Sequence, residues 1–243
     1  MSIDVRSQTV RLFQTLPHDC GYFVERTAQN LVIDPSAPNM AQLYNNALTH
    51  GYRRAGNHVY LPHCEACHAC TPVRVPVAQF QPDRSQRRCL TLNSDVQIAI
   101  TKAGYSDERF ALYQRYLSSR HTGGGMDDAT PDDFEKFLYT EWSPTCFIEF
   151  RLDDALIAVA VTDACSNGLS AVYSWFDPGL RNRGLGSLAI LSQIKLTRAN
   201  TLDHLYLGFW IAGHPKMDYK ARYRPLEALR NGVWQPLHAQ ANP

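Results

Sequence analysis

Asp177-Pro-Gly-Leu-Arg-Asn-Arg-Gly-Leu-Gly186 is the stretch on which the fold turns. Three apolar runs precede it, at 145–152, 155–162 and 169–176. Asp153-Asp154 and Asn167-Gly168 separate them, and such pairs make two-residue hairpin turns, so the runs read as antiparallel strands. An amphipathic helix at 185–199 and a strand at 204–209 follow. Gly184 and Gly186 let backbone N–H groups approach a phosphate, and the helix start adds its positive dipole end. A helix start that needs tight turns is the alternative reading.

Further out, residues 95–101 alternate as a strand. Ser106 caps a helix that opens with Asp107-Glu108 and runs to about residue 120. Thr130, Pro131 and Asp133 form a capping box with proline at the first helical position. A short helix at 217–223 closes the set. The first 93 residues are rich in turns and proline and read as short strands around one helix, from Asn39 to about residue 50, stopped by Gly51. Residues 73–77, with Arg74 and Pro76, suit an edge strand or extended segment. Residues 79–88 are polar and basic, a linker or exposed arm. The chain is therefore mixed α/β, of α+β type, in two regions: a smaller, cysteine-containing 1–93 and a larger 94–243.

In 243 residues, hydrophobic side chains make up 44% and charged ones 19%, as in ordinary globular domains. No apolar run is long enough for a membrane span, and the N-terminus lacks the apolar core of a secretory signal. A soluble, cytoplasmic protein is expected. The net charge of +1 hides an uneven distribution. Between Arg181 and Arg224, eight basic residues face only Asp203 and Asp218, a net +6, interleaved with Tyr206, Phe209, Trp210, Tyr219 and Tyr223. Cations for phosphates and flat rings for bases suit a nucleic-acid end. A solvated basic face beside core aromatics is the other reading.

Cys64-x-x-Cys67-x-x-Cys70 places three thiols where they can face one centre, and Cys20 can supply a fourth ligand. An iron–sulfur cluster or zinc fits that set, with His63 and His68 as alternative ligands. A reduced cysteine-rich loop that packs a small domain fits as well. Cys146 and Cys165 lie on apolar strands.

The order of elements resembles the GNAT acyltransferase fold. Arg181-Asn-Arg-Gly184-Leu-Gly186 is similar to that fold's Arg/Gln-x-x-Gly-x-Gly/Ala signature. Several blocks go further and resemble the bacterial aspartate/glutamate leucyltransferases, relatives of the eukaryotic arginyl-tRNA–protein transferases of the N-degron pathway. These are Cys20-Gly-Tyr22, Tyr60-Leu-Pro-His-Cys-Glu-Ala-Cys-His-Ala-Cys-Thr-Pro-Val-Arg74, Ser85-Gln-Arg-Arg88, and Tyr116 through Arg120-His121 to Gly125-Met126. Leu205-Tyr-Leu-Gly-Phe-Trp-Ile211, Lys216-Met-Asp-Tyr-Lys220, Pro225-Leu-Glu227 and Trp234 continue the match. Phe23 stands where the eukaryotic pattern has a second cysteine, which favours the bacterial subgroup.

The resemblance implies transfer of leucine from leucyl-tRNA to the N-terminal amino group of proteins beginning with Asp or Glu, marking them for degradation. The donor is an activated ester, so no cofactor is required. Arginine as donor is an alternative, as is a CoA-dependent N-acetyltransferase or a metal-binding nucleic-acid or redox-sensing protein without catalysis. Arg74, Arg120 and His121 are the candidates for the carboxylate pocket, since arginine grips a carboxylate with paired hydrogen bonds; Arg87 and Arg88 stand in reserve. Asp218 and Tyr219 are the candidates for proton handling or amine positioning. Arg181, Arg183, Lys216, Lys220 and Arg222 are the candidates for tRNA contact.

Overall fold

The computed structural model describes residues 10–120 and 129–237, with the backbone alone at Arg120. The N-terminal region supplies β1 (Leu12–Gln14), β2 (His18–Asp19), β3 (Thr27–Ala28), β4 (Asn30–Ile33), α1 (Met40–Thr49), β5 (Arg53–Ala55), β6 (His58–Pro62) and β7 (Thr71–Pro76). Next come α2 (Arg84–Leu92), β8 (Gln97–Lys102), α3 (Asp107–Arg120), α4 (Pro131–Leu138), β9 (Thr145–Leu152), β10 (Ala155–Cys165) and β11 (Gly168–Phe176). A 3₁₀ turn (Pro178–Arg183) leads into α5 (Leu185–Ala199) and β12 (His204–Trp210). A second 3₁₀ turn (Asp218–Arg222) precedes the hairpin β13 (Glu227–Arg230) and β14 (Val233–Pro236).

Eight strands form the large sheet, in the order β14-β13-β7-β12-β11-β10-β9-β8. The β9–β10 turn residues Asp153 and Asp154 both have positive φ, 48° and 66°, as a two-residue hairpin of matching twist requires. The parallel β11–β12 pair needs a crossover, and α5 provides it. Alternation then sorts the core. Ile148, Phe150, Ala158 and Ala160 face Leu185, Leu188 and Ala189 of α5. Phe147, Val159, Val161 and Trp175 face α3 and α4 through Phe110, Tyr113, Leu117 and Phe134. Trp175, fully buried, meets Tyr113, Phe134 and Phe147 edge-on, the arrangement aromatic quadrupoles favour. A four-stranded sheet, β1-β4-β6-β5, and α1 close over Cys165 and Tyr206. This is the mixed α/β architecture expected.

Two readings of the sequence need correction. The segment expected at an edge, β7, lies inside the large sheet between β13 and β12. Its prolines are tolerated because β13 pairs only with Val73 and Arg74, which leaves Pro72 and Pro76 outside that ladder. The second half of the segment expected as an arm, 84–88, is helical. Asp83 accepts a hydrogen bond from the Gln86 N–H at 2.8 Å, and the Asp83 N–H donates in return to Gln86 Oε1 at 2.9 Å, so a capping box starts α2.

Candidate active site

β11 and β12 share a ladder only from Gly168–Ser170 to His204–Tyr206. Beyond it β12 bulges between Tyr206 and Gly208, and the two strands stop bonding to each other. Arg53 of β5 reaches into that gap. Its Nη2 donates to the carbonyls of Ala171 at 2.7 Å and Val172 at 3.0 Å. Gly208 is the floor beneath the guanidinium: a Cβ there would stand 2.6 Å from Arg53 Cζ, and φ is +76°. Only glycine meets both demands cheaply. Arg53 Nη1 is buried and has no hydrogen-bond partner.

Lys220 enters the same place from the second 3₁₀ turn and is only 6% exposed. Its Nζ donates to the Phe209 carbonyl and lies 3.9 Å from Met217 Sδ. Burial pushes its pKa down to about 7, and the Arg53 charge pushes the same way. A buried ammonium is disfavoured because it loses its hydration. Tyr22, Tyr60 and Tyr219 surround the pair. Burial raises all three phenols, Tyr22 to about 12, against the opposing pull of Arg53. Tyr219 keeps 41% of its surface in solvent, and the Lys220 Nζ lies 5.7 Å from its ring centre. The site thus holds a fixed cation, an amine able to be neutral near pH 7, and neutral hydroxyl donors.

The turn between β12 and Lys220 is held from two sides. Asp218 accepts hydrogen bonds from Trp210 Nε1 at 3.2 Å and the Gly213 N–H at 3.1 Å. His214 Nε2 lies 3.0 Å from the Tyr22 carbonyl, with its ring edge-on to Tyr22 and Phe23. The Cys20-Gly-Tyr22 block and the Lys216–Lys220 block, nearly 200 residues apart, therefore make one wall.

The sequence candidates divide. Lys220 belongs to this site rather than to a surface facing RNA, because the 3₁₀ turn points it under Phe209. Asp218 holds the turn, and Tyr219 borders the amine. Arg74 lies on β7, with Nε 2.7 Å from Glu227 Oε2 and its guanidinium 4.4 Å over the Trp234 ring, so its charge is already met. Arg120 ends α3, and His121 lies outside the described residues. Arg183 pairs with Asp95 at 2.8 Å. Arg181, Lys216 and Arg222 are exposed. Arg53 was missed, because nothing local marks which arginine a sheet will enclose.

Cys20, Cys64, Cys67 and Cys70 line one cavity of about 110 Å³ with Arg26 and His68. Burial, then the neighbouring thiols of Cys20, Cys64 and Cys67, push the Cys70 thiol up to about 11. Arg26 Nη1 donates to Cys67 Sγ at 3.5 Å, and the Cys64 thiol donates to the Gln29 carbonyl at 3.7 Å. The donor set suits a thiophilic metal in kind, yet among the described residues no three His, Cys, Asp or Glu stand close enough to share one ion. His63 does not line the cavity.

The carbonyl side of the glycine turn is bonded to α2, while Gly184 itself stays exposed. Cys89 Sγ of α2 donates to the Arg183 and Gly184 carbonyls at 3.7 and 3.5 Å, and Asn93 Nδ2 donates to the Arg183 carbonyl at 2.8 Å. Gly184 starts α5 with φ +63°, and Gly186 packs on Phe176. The glycines here serve a helix start and its packing.

A mixed sheet whose parted strands hold a buried amine suits acyl transfer. Comparison with known sequences makes the family definite. The N-terminal model of the arginine-tRNA-protein transferase family matches residues 18–88 and the C-terminal one residues 108–230. The chain belongs to that family, whose members are aminoacyltransferases. It is 53% identical to an aspartate/glutamate leucyltransferase of Stenotrophomonas maltophilia, over 94% of both chains. It is 45% identical to the enzyme of that name from Pseudomonas fluorescens, over 94% of this chain and 97% of the other. Among solved structures, L-PGS from Bacillus licheniformis superimposes with a TM-score of 0.49 at 10% identity, over 69% of this chain and 58% of that one.

Proposed function

We propose that the protein moves leucine from leucyl-tRNA to the α-amino group of proteins that begin with Asp or Glu, in the cytoplasm, and so marks them for degradation by the N-degron route. The observation that carries the mechanism is Lys220, an enclosed amine with a pKa of about 7 beside the Arg53 guanidinium. An acceptor arrives largely as ammonium, since an α-amino group has a pKa of about 7.7–8.0. Neutral Lys220 takes its proton. The freed amine attacks the ester carbonyl, a C–N bond forms, and the C–O bond to the tRNA ribose breaks. Lys220 then gives that proton to the leaving ribose oxygen, and the second proton that the nitrogen loses as the amide forms passes to solvent, so an ammonium acceptor releases one proton overall. The tyrosine hydroxyls, held neutral, donate toward the developing oxyanion.

Arg53 Nη1, lacking a partner, meets the acidic side chain of the acceptor in this reading, with Arg120 and His121 as further contributors. Arg74 would serve only by leaving Glu227 and Trp234. Arg181, Lys216 and Arg222 face the donor RNA. The leucine donor rests on the names of relatives at 53% and 45% identity; an arginine donor is the competing outcome. Iron–sulfur or zinc at the four cysteines would require them to close in, and no step of transfer calls on it. No helix among the described residues is long and apolar enough to cross a membrane. The test is incubation with labelled leucyl-tRNA, arginyl-tRNA or acetyl-CoA and peptides beginning Asp, Glu or Ala. Label should pass only from leucyl-tRNA and only to the Asp and Glu peptides. Equal labelling of the Ala peptide, or acetyl transfer, would overturn the reading.

A further inference from the structure

α2 divides sharply between its two sides. Gln86, Cys89 and Asn93 turn inward and bond to the carbonyls of Arg222, Arg183 and Gly184. Arg84, Arg87 and Arg88 turn outward and are exposed. These cations lie near the N-terminal end of the helix, where the dipole is positive and disfavours them. The carboxylate at that end, N-cap Asp83, is taken up by the Gln86 N–H and stands against three arginines. Their presence therefore does not serve the helix.

The surroundings extend this charge. The Gln86 bond at 3.0 Å sets α2 against the 3₁₀ turn that carries Arg222, with exposed Arg224 just beyond. The Cys89 bonds set it against the turn that carries Arg181. Among the described residues none of these six arginines pairs with a carboxylate, while Arg183, Arg109 and Arg151 do. Cations kept unpaired along a ridge suit a row of phosphates. The ridge also leads somewhere. The one short turn that presents Arg222 outward sends Lys220 inward, two residues away.

We propose that α2 is the docking ridge for the acceptor stem of the donor tRNA: Arg84 and Arg88 hold its phosphates and deliver the 3′ end past Arg222 to Lys220. This rests on the aminoacyl-tRNA reading above. A-form RNA is recognised mainly through its shape and backbone, which is what a row of arginines without a base-reading pocket supplies. The charge of the ridge excludes a basic partner.

The test combines Arg84→Ala with Arg88→Ala and measures the Kd of leucyl-tRNA across salt. Each lost phosphate contact should flatten the log–log slope by about 0.7–0.9, so the double variant should lose roughly 1.5 units. Affinity at 150 mM salt should fall at least about tenfold by the same loss of counterion release. Transfer from a small donor, leucine esterified to the 3′-oxygen of adenosine, should keep its wild-type rate. Arg88→Glu, a single exposed change, should weaken tRNA binding further and leave the small donor alone. An unchanged slope and Kd in both variants would overturn the proposal. So would a raised KM for the acceptor protein with tRNA binding intact, which would assign the ridge to the acceptor. Should the wild-type chain transfer no leucine from either donor, the functional reading fails separately, while the salt slope still reports whether the ridge binds RNA.

Discussion

Arg53 and Arg54 are neighbours on β5, and the pleat sends them to opposite sides. Arg54 is fully enclosed and meets Asp163 with two hydrogen bonds, Nε to Oδ2 at 2.6 Å and Nη2 to Oδ1 at 2.7 Å. Nη2 also reaches the Leu138 carbonyl and Thr145 Oγ1, and the Tyr44 hydroxyl donates to Asp163 at 2.9 Å. That side ties α1, α4 and β5 to β9 and β10. Among the described residues Arg53 meets no carboxylate; it is held by two backbone carbonyls in a gap between strands, with Lys220 and three tyrosines around it. Both arginines leave one Nη1 unpartnered, but only the charge of Arg54 is neutralised. A buried cation with its counter-ion is a fastener. A buried cation without one is a place for an anion to arrive, and it depresses any amine beside it.

The two sides should therefore fail differently. The largest loss is expected on the Arg53 side, from Lys220→Gln. Removing a general base typically costs about 10²–10⁴ in rate, so transfer should fall by that factor while leucyl-tRNA binding holds. The wild-type rate should rise with pH through about 7, because Lys220 is neutral only above that value, and the variant should lose this limb. A variant with wild-type kcat/KM and the same limb would remove Lys220 from the chemistry.

On the Arg54 side, Asp163→Ala leaves an uncompensated buried charge and should lower stability by about 3–5 kcal/mol. The activity of the molecules still folded should stay within a few-fold of wild type. Denaturant melts read the first quantity and active-site-normalised rates the second. A stable but inactive Asp163→Ala would merge the two sides. Arg53→Gln should show the reverse. Its kcat/KM for a peptide beginning Asp should drop about a hundredfold, worth about 2.7 kcal/mol at 1.36 kcal/mol per tenfold. Its preference for Asp over Asn at the first position should collapse, with a melt close to wild type. Retention of that preference would mean the acidic side chain is read elsewhere.

The smallest effect is expected one step away, at Asp218→Asn. It weakens the bonds to Trp210 and Gly213 that hold the turn before Lys220. A loss of about 1–2 kcal/mol in stability and a modest fall in rate should follow, since hydrogen bonds to a charged group contribute about 1.5–3 kcal/mol and one neutral partner remains. A rate loss as large as that of Lys220→Gln would make Asp218 part of the chemistry rather than a brace.

Much of the fold was legible because local rules and tertiary packing agreed. Asp153-Asp154, the Thr130–Asp133 capping box and the apolar face of 185–199 each lie where those signals put them. β7 was misjudged because its position depends on how far β13 reaches, which proline does not announce. Two signals went unread: Asp83-x-x-Gln86 starts α2, and Asn231-Gly232, with φ of 52° and 75°, turns β13 into β14. The site was legible as blocks and not as roles. A lysine among lysines and arginines reads as surface. Only the 3₁₀ turn and the Phe209 carbonyl make Lys220 an enclosed amine, and only the gap beyond Ser170 gives Arg53 its seat.

Lys220 should change protonation near neutral pH in the folded enzyme. The direct measurement is a pH titration of the Lys220 side chain by NMR, on protein carrying ¹³C-labelled lysine, with the resonance assigned by its absence in Lys220→Gln. A midpoint at about 7 is the predicted result. A midpoint near the ordinary lysine value of about 10.4 would contradict the account, because the amine would then be an ammonium throughout the working range and could not take the acceptor's proton.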